Sequence, residues 1–260
     1  MRKITIEYRS FGLFNRKQAI EVPERWEDLS ETQFSVCAQM HVEPMADIDF
    51  VARFFGLSKH LAKRFSKFEI YKLTELTGFA LNPTAVVSSF FIQEIPGTNL
   101  LAPQSKLRNI SIEHFALFDT YFFDYANQPT PENLCRFVTT LYGKKGERIT
   151  AIDFDKKYKY VSAKVDKSTQ YAIFLNYLFI RKWLSKSFPF VFEQNDDSED
   201  RPVKRKYVKP TKPNRPDWNG IIDGMVGDDI IHYEEYTKMS CLLAFKTINN
   251  RIKNYKKNAK

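Results

Sequence analysis

Aromatic and aliphatic residues recur at helical spacing through several long stretches of the chain, and this pattern constrains the fold more than any other feature. The clearest case lies between Ser111 and Tyr125, where apolar side chains follow at steps of three and four residues: Ile112, Phe115, Phe118, Phe122 and Tyr125. Such spacing places them on one face of an α-helix. The chain also has 23 Phe and 13 Tyr but only 9 Gly, which favours packed helices over a glycine-dependent nucleotide-binding scaffold.

The same periodicity predicts helices in most of the remaining chain. They cover residues 47–55, 58–65, 67–77, 131–142, 168–187, 218–225 and 233–255. A further helix is expected to begin at Ser30, because Gln33 three residues later completes a capping box. Residues 168–187 are apolar around most of the helix circumference, which predicts a central position in the fold.

A β-hairpin is predicted at the N-terminus. The stretches Lys3 to Tyr8 and Gln18 to Pro23 alternate apolar and polar residues, and Gly12 and Asn15 lie between them. Such a pattern is typical of two antiparallel strands joined by a loop. Residues 90–95 are compatible with a further strand. The fold class is therefore mainly α with a small N-terminal β-hairpin, an α+β arrangement.

The helical pattern disappears between Gln194 and Pro216. An acidic cluster there is followed by residues 201–215, which hold seven basic and no acidic residues. Such a segment cannot bury enough apolar surface to fold alone, so a flexible, proline-containing linker is predicted over residues 194–216. It would join a hairpin and helical body, residues 1–193, to a small C-terminal helical appendage, residues 217–260.

Charge is concentrated in two segments. Residues 201–215 and 251–260 together hold twelve basic and no acidic residues, so the rest of the chain, on a total of +9, carries a net −3. The basic character is therefore expected to belong to the linker and the C-terminal tail and not to a folded surface.

The three cysteines are odd in number and far apart, so no disulfide framework is expected. The N-terminus lacks an apolar segment of signal-peptide length, and the most apolar stretch, residues 171–180, is too short for a membrane span. These features predict a protein of a reducing cytoplasm without membrane partners.

No catalytic or metal centre is predicted. The glycines do not have the order of a phosphate-binding loop, and the chain lacks a Gly-x-Ser-x-Gly elbow. The cysteines and histidines do not have the spacing of a zinc site. We therefore expect a nonenzymatic protein with no cofactor.

One polar cluster is a candidate ligand or catalytic site. It comprises Asp228, Asp229, His232, Glu234 and Glu235. The ordinary interpretation is that Asp228 or Asp229 caps the last helix and that the other side chains are solvated. A second set, Glu113, His114 and Asp119, is expected to form the polar side of an aromatic helix.

Nucleic-acid binding has a physical basis in the predicted linker, because flexible cations can neutralise phosphates and release counterions. The residues that would carry it are Lys204, Arg205, Lys206, Tyr207 and Lys209. A basic linker can also be a soluble spacer.

Recognition of another protein is the remaining possibility. An appendage on a tether would bind a partner through its apolar residues, which are Trp218, Ile221, Met225, Leu242 and Phe245. The alternative is that these helices dock on the rest of the same chain.

The chain resembles tail-assembly chaperones and related small tail-morphogenesis proteins of phages and prophages of Bacteroidetes-type bacteria. The resemblance involves three parts of the chain: the hairpin leading into Val22-Pro23, Trp26, Leu29 and Gln33-Phe34, the segment Phe188 to Phe192, and the module from Trp218 to Asn254 behind a charged linker. It covers about half of the chain.

The resemblance implies a nonenzymatic assembly factor that coats the tape-measure protein and recruits tail-tube subunits. Its partners would be other phage structural or assembly proteins, and further copies of the same chain are also considered as partners. It would act in the host cytoplasm, with or without incorporation into the virion. A permanent neck or connector protein fits the same features, so this alternative stays open.

Overall fold

The computed structural model describes residues 2–10, 14–81, 85–144, 154–192 and 216–258. These residues are mostly helical, with a small N-terminal antiparallel hairpin. This confirms the predicted fold class. The chain divides into two compact units, unit 1 with residues 1–87 and 166–179 and unit 2 with residues 88–165 and 180–260.

Unit 1 begins with the hairpin of β1 (Arg2–Ser10) and β2 (Phe14–Val22), in which Ile4 is paired with Ile20. One face buries Ile6, Ile20 and Val22. The other face carries cross-strand ion pairs, such as Lys17 with Glu7 at 2.8 Å. Alternation along the strands therefore separates an apolar from a charged face, as the sequence predicts.

Four helices complete the first part of unit 1: α1 (Glu31–Val42), α2 (Asp47–Phe54), α3 (Lys59–Ala62) and α4 (Lys67–Leu76). The predicted capping box at Ser30 and Gln33 is present at the start of α1. Trp26 fills the core of this unit, where its ring packs against those of Phe34, Phe79 and Phe179. The helix predicted over residues 58–65 is shorter, because it ends at Ala62.

Unit 2 contains α5 (Ile112–Asn127), α6 (Pro131–Leu141) and α7 (Phe154–Lys164). Two-residue strands, β3 (Leu100–Leu101) and β4 (Gly143–Lys144), form a short ladder. Residues 90–95 form only an isolated bridge, from Glu94 to Leu101, so the longer strand considered there is absent from this described segment. The buried Tyr142 hydroxyl donates to the carbonyl of Ile92 at 2.6 Å and fixes that segment.

Helix α8 (Lys167–Ser187) contributes residues to both units, because residues 166–179 belong to unit 1 and the following residues to unit 2. Its side chains include the fully buried Ile173, Tyr177, Phe179 and Ile180. The burial agrees with its apolar circumference in the sequence.

The C-terminal helices belong to unit 2. They are α9 (Trp218–Val226), α10 (Tyr233–Lys238) and α11 (Cys241–Asn258). The sequence predicted one helix over residues 233–255, and this was wrong, because Met239 and Ser240 interrupt it. Except for Pro216, the predicted linker lies outside the described residues, so the division into body, linker and appendage stays a prediction.

Candidate functional site

An open groove in unit 2 is formed by three helices. It has a volume of about 1030 Å³. Helix α5 lines it with a stripe of residues one turn apart, Glu113, Ala116, Leu117 and Thr120. The facing walls come from α9, with Trp218 and Ile222, and from α10, with Tyr233, Glu234, Thr237 and Lys238. The groove therefore runs between helix surfaces and is apolar at its base and charged at its rim.

The wall formed by α9 is attached to α5 through a buried carboxylate. Asp119 is fully buried, and its Oδ2 accepts a hydrogen bond of 2.8 Å from the indole Nε1 of Trp218. Its Oδ1 accepts from Nη1 of Arg181 on α8. Because a buried carboxylate is stable only when its oxygens are paired, this residue links three helices that are distant in sequence.

Aromatic rings surround the Arg181 guanidinium. Its Cζ lies 4.5 Å from the ring centroid of Phe123, 5.3 Å from that of Phe122 and 5.5 Å from that of Phe192. The ring faces and Asp119 together compensate for the hydration that the cation loses on burial.

A cluster of aromatic rings packs the C-terminal helices onto α5. Phe115 lies 5.0 Å from Trp218 and 4.7 Å from Phe245, measured between ring centroids. Phe192 contacts the same two rings, at 5.8 Å and 5.0 Å. The cluster packs α9 and α11 against α5, and α9 forms one wall of the groove.

Backbone pairing fixes α10 and α11 as separate helices. The Ile112 amide donates to the Met239 carbonyl at 2.9 Å, and the Cys241 amide donates to the Ile110 carbonyl at 2.9 Å. Ser111 and Ser240 form the intervening bridge. This pairing extends the backbone at Met239 and Ser240, and a helix cannot continue through an extended segment.

Three of the predicted protein-binding residues are core residues of unit 2. Trp218, Met225 and Phe245 are buried, whereas Ile221 and Leu242 are partly exposed. Trp218 and Phe245 are brought together, with their ring centroids 5.9 Å apart. Partner binding by the buried side chains stays a prediction and would require α9 and α11 to separate from α5.

The predicted nucleic-acid-binding residues, Lys204, Arg205, Lys206, Tyr207 and Lys209, lie outside the described residues. Part of the basic tail is described at the end of α11. Lys256 and Lys257 are exposed there, and Nζ of Lys256 lies 5.3 Å from the ring centroid of Phe190.

The polar cluster of residues 228–235 forms an exposed turn. Oδ1 of Asp229 lies 2.7 Å from Nδ1 of His232, and this hydrogen bond raises the pKa of His232 above its ordinary value of 6.5. Asp229 precedes a 3₁₀ turn, and His232 is the N-cap residue of α10, so the interpretation of Asp228 or Asp229 as the cap of the last helix was wrong. Within the described ranges, histidine, cysteine, aspartate and glutamate do not form a group of three or more suited to a metal ion.

Sequence reasoning missed the role of Asp119, which was interpreted with Glu113 and His114 as part of a polar helix side. His114 is also buried, and its Nε2 lies 2.6 Å from the carbonyl oxygen of Thr140. The available signal was a pair of charged residues of opposite sign, Asp119 and Arg181, each inside a strongly apolar helix. Sequence reasoning also missed Ile222, which lines the groove.

None of the described helices combines the length and the apolar content needed to cross a lipid bilayer. Comparison of the chain with protein-family models, with curated proteins and with solved structures finds no match.

Proposed function

We propose that the chain is a nonenzymatic phage or prophage assembly protein that binds a helical segment of a partner protein in the groove between α5, α9 and α10. The groove is the observation that carries this proposal. Its walls are stripes of residues from three helices, and Leu117 and Tyr233 line it while remaining 40% and 44% exposed. Grooves of this kind accept the apolar face of an amphipathic helix.

The charged rim indicates the chemistry of the bound helix. Glu113, Asp217 and Glu234 line the groove and are exposed. Among the lining residues that the structure describes, Lys238 is the only cation, and its Nζ lies 2.6 Å from Oε2 of Glu234. A partner helix with an apolar stripe flanked by Lys or Arg residues would satisfy both the base and the rim.

The proposed partner follows from the resemblance to tail-assembly chaperones. Such chaperones coat a tape-measure protein, which is long and helical, and therefore offers many helical segments to a groove. We propose that the chain binds the tape-measure protein, with tail-tube subunits as further partners, and acts in the host cytoplasm.

The test is a tagged pull-down from the native host during particle production. The groove variant Leu117→Ser/Tyr233→Ser removes two partly exposed apolar side chains, and Leu243→Ser/Tyr255→Ser removes two exposed ones outside the groove as a control. We expect the wild type and the control to retain a long helical protein. The groove variant should recover about tenfold less of this protein. Equal recovery by all three proteins would contradict the proposed site.

A second candidate function is nucleic-acid binding, favoured by the seven basic and no acidic residues between 201 and 215. Nuclease treatment during the pull-down separates the two. Loss of every protein partner after nuclease, together with loss of nucleic acid on neutralising Lys204, Arg205 and Lys206, would favour this candidate.

A permanent virion component is distinguished by the composition of purified particles. An assembly factor leaves the finished particle, so mass spectrometry should detect the chain in the assembling extract and not in purified virions. A constant number of copies per virion would instead identify a neck or connector protein.

A further inference from the structure

Two pairs of neighbouring apolar side chains are strongly exposed in the described part of the chain. Ile230 and Ile231, in the turn before α10, are 73% and 92% exposed. Phe68 and Tyr71, on α4, are each 63% exposed. A single exposed apolar side chain is ordinary, but adjacent large ones at this exposure point to an interaction surface.

The first surface, which we name the Ile230 turn, comprises Ile230 and Ile231 together with Asp228, Asp229, Glu234 and Glu235. Hydrogen bonds fix its backbone, from the Asp229 amide to the Val226 carbonyl at 3.1 Å and from the His232 amide to the Asp229 carbonyl at 3.2 Å. The Asp229 carboxylate also binds His232 and the Tyr236 hydroxyl. The two isoleucines are therefore presented by an ordered turn.

Acidic side chains surround these isoleucines. Asp228 and Asp229 precede them, Glu234 and Glu235 follow, and all four are exposed. Glu234 is paired with Lys238, and Asp229 with His232. The Ile230 turn is consequently an apolar tip with a negative rim.

The second surface, which we name the α4 surface, comprises Lys67, Phe68, Tyr71 and Lys72. Helical spacing places these side chains opposite the buried Ile70 and Leu73. Nζ of Lys72 lies 4.5 Å from the Phe68 ring centroid, so cation and ring form one patch.

The surroundings of the α4 surface are positive. Residues 59–72 hold five basic residues and one acidic residue, Glu69. The Glu69 carboxylate is engaged by the Ser66 amide at 2.6 Å, and Lys59 is paired with Asp49. Glu75, one turn beyond Tyr71, is exposed at the end of the patch. Lys63, Lys67 and Lys72 remain as exposed cations in this stretch.

We propose that the occupant of each surface is a second copy of this chain, with the Ile230 turn of one copy bound to the α4 surface of the next. The contact buries two isoleucines against two aromatic rings and sets acidic residues against lysines. Contacts between two turns or between two α4 surfaces would instead oppose like charges. The favoured contact is therefore heterologous, and it generates a ring or an open chain of copies.

Other occupants satisfy only one of the two surfaces. A nucleic acid or an anionic lipid surface would be attracted by the lysines of the α4 surface and repelled by the acids of the Ile230 turn. A second copy supplies the complement of both. The inference does not rest on the proposed function, because Leu117 and Tyr233, whose replacement tests the groove, belong to neither surface. Glu234 lines the groove as well as the Ile230 turn.

The test uses purified full-length chain and sedimentation velocity over a concentration series. The turn variant Ile230→Ser/Ile231→Ser and the α4 variant Phe68→Ser/Tyr71→Ser each leave one surface intact, and both change exposed side chains only. We expect assemblies of the wild type, monomers of each variant alone, and a one-to-one dimer without larger species when the two variants are mixed. Only a head-to-tail contact gives this last result.

Charge exchange provides an independent arm. We expect Asp228→Lys/Glu235→Lys and Lys67→Glu/Lys72→Glu each to abolish assembly, and their mixture to restore it through complementary charges. Leu117→Ser and Leu243→Ser/Tyr255→Ser serve as controls that assemble like the wild type. Thermal melting monitored by circular dichroism checks that each variant is folded.

Three outcomes would overturn the inference. The first is a wild type that stays monomeric up to about 200 µM, where a contact with micromolar Kd would be populated. The second is assembly that persists in both double-serine variants. The third is assembly that occurs only when nucleic acid or anionic vesicles are added, which would assign the α4 surface to one of those partners.

Discussion

Asp119 is the residue on which the position of α9 most directly depends. Its side chain has no exposed surface, and it receives hydrogen bonds from Arg181 on α8 and Trp218 on α9. Removal of one member of a buried ion pair leaves the other charge without compensation, which costs more than the loss of an exposed pair.

We therefore expect Asp119→Asn to destabilise unit 2 by about 3 kcal/mol. Trp218→Phe keeps an aromatic ring but removes the indole donor, and should cost about 1–2 kcal/mol. Urea unfolding monitored by circular dichroism measures both changes in the free energy of unfolding. Asp223→Asn, at an exposed carboxylate on α9, is the matched control. Equal stability of Asp119→Asn and the control would show that the buried pair contributes little.

The cysteines give a second residue-level prediction. Burial raises the pKa of Cys37 and of Cys241 from 9.0 to about 12, and it also raises the pKa of Cys135. At pH 8 a thiol of pKa 12 is ionised in about one molecule in ten thousand, and only the thiolate reacts. Iodoacetamide should label Cys37 and Cys241 far more slowly in the native protein than in urea. Rapid native labelling, quantified by mass spectrometry, would contradict their burial.

Local chemistry made some residues predictable from the sequence, and distant contacts made others unpredictable. Ser30 and Gln33 lie three residues apart, so their capping box follows from helix geometry alone. Asp119 lies 62 residues from Arg181 and 99 from Trp218. A helical pattern does not reveal which distant donors meet a carboxylate, so it places Asp119 only on the polar side of its helix.

At the scale of a single element, α1 tests the contribution of its cap. The Ser30 hydroxyl accepts from the Gln33 amide at 3.2 Å, and the Gln33 side chain accepts from the Ser30 amide at 2.9 Å. Ser30→Ala should destabilise the protein by about 1 kcal/mol, and Ser30→Gly by only a few tenths. Urea unfolding should show a larger loss of stability for Ser30→Ala than for Ser30→Gly. The reverse order would show that the hydrogen bonds of the cap do not determine the stability at this position.

The break between α10 and α11 shows where element prediction ends. Residues 233–255 have a continuous helical pattern, yet Met239 and Ser240 leave the helix to pair with residues 110–112. Local propensity favours one helix by small increments per residue, whereas the pairing forms two backbone hydrogen bonds between the segments. The break also turns α10 toward the groove, so the candidate site depends on a contact between segments far apart in sequence.

For the whole molecule, the central question is whether residues 216–260 form an appendage or part of a core. The sequence is compatible with both. In the structure, Trp218 and Phe245 are 3% and 0% exposed and lie within the aromatic cluster of Phe115 and Phe192. The groove exists only where these helices meet α5, which is why composition and helical spacing alone did not predict it.

Truncation after residue 215 should therefore destabilise unit 2. Loss of a buried Phe or Trp costs about 3–5 kcal/mol each, and a domain is stable by about 5–15 kcal/mol in total. In hydrogen-exchange mass spectrometry we expect amides of α5 and α6 to lose protection in the truncated chain, because the removed side chains have their described contacts in unit 2. Phe245→Ala should produce a smaller loss in the same helices, and Tyr255→Ala, at a side chain that is 76% exposed on the same helix, should produce none. Unchanged exchange in α5 after truncation would instead show that residues 216–260 are an appendage that the rest of the chain does not need in order to fold.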